Sequence, residues 1–122
     1  MQYLALIYSE EQDPSTVDPK LRAEITAQYD AFTEEARNAG IMVAGEALQP
    51  TSTATTIHVE GDKTITTDGP FAETREALGG FYLLECKDLD DAIEWAAKIP
   101  GARFGHVEVR PVLDLTAREM EM

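Results

Sequence analysis

The chain has 122 residues and a formal net charge of −13 at pH 7, and 43% of its residues are hydrophobic. This length fits one domain, and the composition is that of a globular protein with a core of its own. Because the negative charge repels phosphate backbones and anionic lipid headgroups, we expect no direct binding to nucleic acid or to a membrane.

The sequence offers neither a membrane span nor a signal peptide, so we expect a cytoplasmic protein. No apolar run reaches the roughly 20 residues that span a bilayer, and residues 1–8 lack the basic segment and the cleavage site of a signal peptide. Cys86 is the one cysteine. It ends an apolar run, so we interpret it as a small core residue without a disulfide partner.

The first half of the chain predicts a strand, a helix and a second strand. Residues 3–8 are almost wholly apolar, which is typical of a central strand buried on both faces. Asp18 and Pro19 form a helix N-cap and first helical position, and Gly40 ends the same helix. The apolar positions of this helix recur every three or four residues: Leu21, Ile25, Tyr29, Phe32 and Ala36.

The rest of the chain predicts further strands and a second helix. The expected strands span 41–48, 53–60, 63–67, 79–86 and 106–113. The two threonine-rich strands are joined by Gly61-Asp62, which is a hairpin signal. Asp88 caps the second helix. The expected core stripe of that helix consists of Leu89, Ala92, Ile93, Ala96 and Ile99.

These elements predict an α+β fold, a ferredoxin-like sandwich with an inserted β-hairpin, in a single domain over 1–115 followed by a polar tail over 116–122. Two helices cover only one face of a sheet, yet the runs 3–8 and 81–84 are apolar on both faces. The uncovered face needs a partner, and a second copy of the chain is the economical one. We therefore expect a homodimer, a dimeric α+β barrel with a cavity at or near the interface.

Four segments resemble a known family. The longest, residues 67–85, reads TDGPFAETREALGGFYLLE and resembles the signature of the DGPF group within the YciI-related (YCII) domain family. Residues 45–50, 90–97 and 107–112 read GEALQP, DDAIEWAA and VEVRPV, and they resemble further segments of that family. The resemblance implies a dimeric α+β barrel, a bacterial cytoplasmic protein and no settled biochemical activity.

The resemblance also bears on function. Members of the wider family carry a histidine and an aspartate that suggest an enzyme, and some DGPF members are fused to sigma factors, which implies a link to transcription initiation. In this sequence Tyr29 stands eleven residues before Gly40, where other YciI-like chains place the histidine. The histidine–aspartate pair is therefore not intact here, and the chain shows no sigma-factor module.

Residues 68–70 form a corner of restricted backbone geometry. Asp68-Gly69 favours a turn, and Pro70 restricts its own backbone and that of Gly69. In one interpretation the corner is structural: Asp68 caps the turn and Phe71 anchors the core. In the other, Asp68 is a general acid or base, or a ligand acceptor, at the rim of a pocket. Under the second interpretation further residues of this segment bind the ligand: Gly69, Pro70, Phe71 and Glu73.

The charges after this corner alternate in sign at Glu73, Arg75 and Glu76. In one interpretation they form exposed ion pairs, which contribute little to stability. In the other, one of them lines the pocket.

The last strand carries the remaining candidate residues. Alternation places His106, Glu108 and Arg110 on one of its faces. If the intervening valines face the helices, this polar trio faces the barrel, where a buried Arg110 requires a carboxylate from Glu108 or Asp68. Alternatively, Glu108 and Arg110 form a structural pair. Tyr82, in the strand before the second helix, is interpreted as a core or cavity-wall residue that contacts the ligand.

The sequence contains no HxH or HExxH pattern, no Walker or Rossmann phosphate loop and no G-x-S-x-G elbow, so we expect no metal and no cofactor. Two functions remain. In the first, the domain is a small-molecule-binding or regulatory module with a transcription-related protein partner. In the second, the cavity belongs to an acid/base enzyme of isomerase or lyase type, with Asp68, Arg110 and His106 as its catalytic residues.

Overall fold

The computed structural model describes residues 1–13 and 15–116. Within them the helices are α1 (Pro19–Asn38), α2 (Leu89–Ala96) and α3 (Gly101–Phe104), with a 3₁₀ turn at Thr51–Thr53. The strands are β1 (Gln2–Ser9), β2 (Met42–Ala47), β3 (Thr55–Glu60), β4 (Lys63–Asp68), β5 (Ala77–Glu85) and β6 (His106–Pro111). The predicted strands and the two predicted helices are confirmed, whereas α3 was not predicted. Apart from Thr116, the expected tail over 116–122 lies outside the described residues.

Four strands form one antiparallel sheet in the order β2-β5-β1-β6. The strands joined through α1 are separated in the sheet by β5, and those joined through α2 are separated by β1, which is a split β-α-β arrangement. The fold is therefore α+β and compatible with the ferredoxin-like sandwich that the sequence predicts. The inserted hairpin is also confirmed, and its strands β3 and β4 form a separate two-stranded sheet.

The helix ends follow the capping signals in the sequence. The Asp18 carboxylate accepts a hydrogen bond from the Lys20 amide at 3.0 Å, and the Asp88 carboxylate accepts one from the Asp91 amide at 2.9 Å. After α1 the backbone of Gly40 adopts a φ of +73°, which glycine reaches without steric cost. Among the described helices, none combines the length and the apolar surface that a membrane crossing requires.

The core lies between the sheet and helices α1 and α2. Its members come from β1, from β5 and the residue after it, from the inner faces of α1 and α2, and from the segment after α2: Tyr3, Ala5, Ile7, Phe32, Ala36, Leu84, Cys86, Ala92, Ala96 and Ile99. The expected stripe of α2 is too wide, because Leu89 and Ile93 are about half exposed. Ala92 and Ala96 carry small side chains that let α2 lie close to the sheet, so only a narrow face of the helix is covered. Leu21 is likewise exposed.

We call the opposite face of the four-stranded sheet the open face. On it, Leu4 of β1 lies opposite Leu83 of β5, and Leu6 lies opposite Phe81. These four side chains are half-buried and do not belong to the core beneath the helices. The described residues therefore leave an apolar surface on the sheet that their helices do not cover, as the sequence predicts.

Two carboxylates of the loop that follows β1 make contacts with other parts of the chain. The Glu10 carboxylate pairs with the Arg75 guanidinium. The Glu11 carboxylate accepts two hydrogen bonds from Thr51, one from the hydroxyl group and one from the amide at 2.7 Å. These hydrogen bonds, chiefly the one from the hydroxyl, hold the pKa of Glu11 below its usual value of 4.5. The loop after β1 is thereby tied to the turn that precedes the hairpin.

The contact between Glu11 and Thr51 predicts a specific pH dependence of stability. Because the pKa of Glu11 is lower in the folded state, its contribution is complete above pH 4.5 and is lost as the pH falls through the lowered pKa. We expect Glu11→Gln to melt at a lower temperature than the wild type at pH 7, with the difference closing in acid. Differential scanning calorimetry between pH 7 and pH 2 measures this. The control is Glu24→Gln, which removes a charge from the exposed side of α1; an equal effect there would contradict the prediction.

Candidate functional site

A cavity of about 490 Å³ lies between α1 and the neighbouring strands β2 and β5. Tyr29, Thr33 and Arg37 line it from α1, and Gly45, Gly80 and Tyr82 line it from the strands. Ser9, at the end of β1, also contributes to its wall. The cavity is formed by a single chain and does not require the open face.

Two of the glycines that line the cavity are closely approached by neighbouring groups. A Cβ atom at Gly45 would lie 2.5 Å from the Tyr82 ring, and a Cβ atom at Gly80 would lie 2.8 Å from the carbonyl oxygen of Glu46. Neither position accommodates a side chain unless its neighbour moves, since contacts this short are essentially never seen. Glycine at these positions therefore lets the Tyr82 ring lie over β2 and lets the β2 backbone approach β5 closely.

Tyrosine rings and the hydroxyl groups of tyrosine and threonine line the cavity. The Tyr82 ring packs on Phe32 with a centroid distance of 5.0 Å, and its hydroxyl lies 3.4 Å from the Thr33 hydroxyl. Burial raises the pKa of Tyr29, although the Gly101 amide opposes this by donating a hydrogen bond to the phenolic oxygen. Tyr29 is therefore a neutral phenol at physiological pH, suited to donate a hydrogen bond and unsuited to act as a base.

Charged groups of α1 lie at the rim of the cavity. Asp30, Thr33 and Arg37 share one side of the helix, since they are three and four residues apart. Within the described residues neither Asp30 nor Arg37 takes part in an ion pair. An unpaired guanidinium beside an apolar wall can bind a carboxylate or a phosphate group through two parallel hydrogen bonds.

The predicted polar trio of β6 lies on the open face. Arg110 is opposite Leu4, and the intervening valines of β6 pack toward the core, as expected. The Arg110 Nε atom lies 3.5 Å from Glu108 Oε2, and the Arg110 side chain is 70% exposed in the isolated chain. His106 has a shorter contact, 2.7 Å from its Nδ1 to Glu76 Oε1. Sequence reasoning did not find this pairing.

Asp68 lies apart from this trio. It is the last residue of β4, is exposed, and makes no ion pair with Arg110 or with any other described residue. The corner itself is held by Gly69, which has a φ of +99° and whose amide donates to the Ala54 carbonyl at 2.7 Å. The expectation that Phe71 anchors the core is wrong for this chain, because Phe71 is 91% exposed. Residues 71–75, between this corner and β5, are all exposed.

Of the predicted ligand-binding residues, only Tyr82 lines the cavity that the described residues form under α1. The others lie in the corner segment or on β6: Asp68, Gly69, Pro70, Phe71, Glu73, Glu108 and Arg110. Sequence reasoning missed Asp30, Thr33 and Arg37. Their spacing on one side of α1, together with the glycines of β2 and β5, was the signal that could have found them.

Cys86 is buried, and burial, with nearby negative charge, raises the pKa of its thiol, so the expected core role is confirmed. In the described part of the chain, no three His, Cys, Asp or Glu side chains lie close enough together to hold a metal ion.

Two comparisons with known proteins bear on this geometry. The family model of the YCII-related domain matches residues 1–116. An uncharacterized protein of Rhizobium meliloti (strain 1021) is 35% identical over 114 residues, which cover 92% of this chain and 92% of that protein. A match over nearly the whole sandwich, including α1, β2 and β5, establishes that the chain belongs to the YCII-related domain family.

Proposed function

We propose that the domain is a homodimer that binds a small organic acid in the cavity between α1 and strands β2 and β5. The observation that carries this proposal is the cavity itself. Its volume of about 490 Å³ falls within the usual range of small-molecule sites. Its rim carries Arg37, a guanidinium without an ion-pair partner among the described residues.

The lining determines which ligand fits. The apolar part of the ligand packs between the Tyr29 and Tyr82 rings, and its carboxylate or phosphate group meets Arg37. Asp30 lies at the same rim and accepts a hydrogen bond from a hydroxyl or amino group of the ligand. The neutral Tyr29 hydroxyl adds a donor within the cavity. A small hydroxy or amino acid with an apolar part satisfies all these groups.

The dimer is supported by the open face, where apolar side chains of β1 and β5 are only half-buried. Packing two open faces together removes Leu4, Leu6, Phe81 and Leu83 from water and makes the dimeric α+β barrel.

The link to sigma-factor-dependent transcription, through a protein partner, stays a prediction.

A second candidate function, acid/base catalysis, is favoured by the contact between His106 and Glu76. A carboxylate 2.7 Å from Nδ1 orients the imidazole ring and leaves Nε2 available to take a proton from a substrate. In the barrel this pair would lie at the edge of the dimer interface, because His106 is opposite Tyr8 on the open face. The reaction class would be a proton shift within one substrate, which needs no second reactant.

The ligand site is tested by a thermal-shift screen of small carboxylates and phosphate esters, in which acids that fit raise the melting temperature. Arg37→Gln should raise the dissociation constant of each hit roughly 10-fold to 100-fold, because a hydrogen bond to a charged group contributes about 1.5–3 kcal/mol. Titration calorimetry measures the constants, and Arg103→Gln, outside the cavity, is the control. If Arg37→Gln binds the ligand with wild-type affinity, whereas Asp68→Asn or Arg110→Ala loses that affinity, the ligand binds at the residues that the sequence predicts and not in this cavity.

The dimer is tested by placing a charge on the open face. Leu6→Lys should convert the dimer into a folded monomer, because a lysine at the centre of an apolar interface loses its hydration without gaining a partner. Sedimentation equilibrium gives the mass, and Leu21→Lys, at an exposed position of α1, is the matched control. A wild-type protein that sediments at 13.4 kDa at micromolar concentration would refute the dimer.

The catalytic candidate predicts proton exchange. If the pair acts as a base, the protein should exchange a carbon-bound proton of a substrate bound on the open face with D₂O, and His106→Gln should slow this about 10²-fold to 10⁴-fold. Glu76→Gln should slow it less, with the ligand affinity of both variants unchanged. Proton NMR follows the exchange, and His58→Gln on the hairpin is the control. Exchange at the wild-type rate in His106→Gln would leave ligand binding as the sole function.

A further inference from the structure

We propose that Tyr29 selects the ligand of the cavity by donating its phenolic proton to a carbonyl oxygen, so that the cavity takes an oxo acid. This inference rests on the ligand site proposed above and names the class of acid that the site accepts. Gly101 is a positioning residue, because it holds the Tyr29 hydroxyl in place. The carbonyl belongs to the apolar part of the ligand and is separate from the acid group that meets Arg37.

The Tyr29 hydroxyl lies against the backbone of Gly101. Tyr29 belongs to α1, whereas Gly101 is the first residue of α3 and is buried. A Cβ atom at Gly101 would lie 2.7 Å from the Tyr29 hydroxyl oxygen and 2.7 Å from Cγ2 of Ile7. Contacts this short force one of the neighbours to move. Glycine is therefore the residue that lets the phenol reach this position.

The hydrogen bonds of Tyr29 leave it a proton to donate. Its phenolic oxygen accepts a hydrogen bond from the Gly101 amide, and burial raises the pKa of the phenol, which therefore keeps its proton. Among the described residues no group accepts that proton. A ligand that fills the cavity closes this hydroxyl off from solvent, so the ligand has to supply the acceptor itself.

A carbonyl oxygen is the acceptor that fits best. A ligand ammonium group can only donate, and a ligand hydroxyl brings a proton to a phenolic oxygen that already accepts from Gly101. A carbonyl oxygen accepts and brings no proton. Tyr29 and Arg37 are eight residues apart in α1, about 12 Å along the helix axis, so the carbonyl and the acid group are different parts of the ligand.

The second tyrosine of the cavity imposes no such requirement. The Tyr82 hydroxyl lies 3.4 Å from the Thr33 hydroxyl, and either group can be the donor. Tyr82 can therefore accept a hydrogen bond from a ligand or donate one to it, whereas Tyr29 is set to donate. Because both tyrosines line the same cavity, Tyr82 provides a matched control.

The test uses two acids that differ only in a carbonyl group, 4-oxo-4-phenylbutanoate and 4-phenylbutanoate. Each carries a carboxylate for Arg37 and an aromatic ring for the apolar walls. We expect the wild type to bind the oxo acid roughly threefold to tenfold more tightly, the effect of one hydrogen bond between neutral groups. Titration calorimetry gives both dissociation constants. Their ratio is the readout, since a general loss of the site weakens both acids alike.

Tyr29→Phe should bring this ratio to one by weakening the oxo acid alone, and Tyr82→Phe should leave the ratio unchanged. Arg37→Gln should weaken both acids without changing the ratio. Gly101→Ala should lower the ratio as well, because its Cβ atom displaces the Tyr29 hydroxyl. Circular dichroism establishes that each variant is folded, and if Gly101→Ala does not fold, Tyr29→Phe decides.

An unchanged ratio in Tyr29→Phe, or a ratio lost in Tyr82→Phe instead, overturns the proposal. A wild type that binds the two acids equally, or binds neither, overturns it too, while Arg37-dependent binding of other acids keeps the ligand site. If no acid binds in a manner that depends on Arg37, the ligand site and this inference both fail. A wild-type ratio in a folded Gly101→Ala variant overturns the positioning role of Gly101.

Discussion

The two-sided apolar character of β1 is the constraint on which the rest of the structure depends. Tyr3, Ala5 and Ile7 fill the core beneath the helices, whereas Leu4 and Leu6 lie on the open face with partial cover. A strand that is apolar on both sides has to lie inside the sheet, and both of its faces have to be covered. Helices α1 and α2 cover one face of β1, and the proposed second copy covers the open face.

A second constraint acts at the cavity, the close packing at Gly45 and Gly80. Because Gly45 has no side chain, the Tyr82 ring can lie over β2, where it lines the cavity together with Tyr29. The same end of the sheet receives the contact between His106 and the loop before β5. Tyr29 beneath the helix and the carboxylate-oriented imidazole on the open face therefore lie toward the same end of the sheet.

Local signals were sufficient for most of the fold. Helix caps act within a few residues, so Asp18, Gly40 and Asp88 marked helix ends that the structure confirms. A four-residue helix such as α3 shows no periodicity, which is why it was missed. The width of the buried stripe on α2 depends on how closely the helix approaches the sheet, and Ile93 shows that periodicity alone overestimates it.

The sequence by itself determined the order of the elements, the hairpin and the faces of β1 and β6, because alternation and capping are local properties of the chain. Only the tertiary structure decided which side chains meet. Glu76 reaches His106 across 30 residues, and Gly101 reaches Tyr29 from another helix. These contacts, and the cavity on the helix side of the sheet, follow from strand order and from the approach of α1 to β2 and β5, which no local pattern encodes.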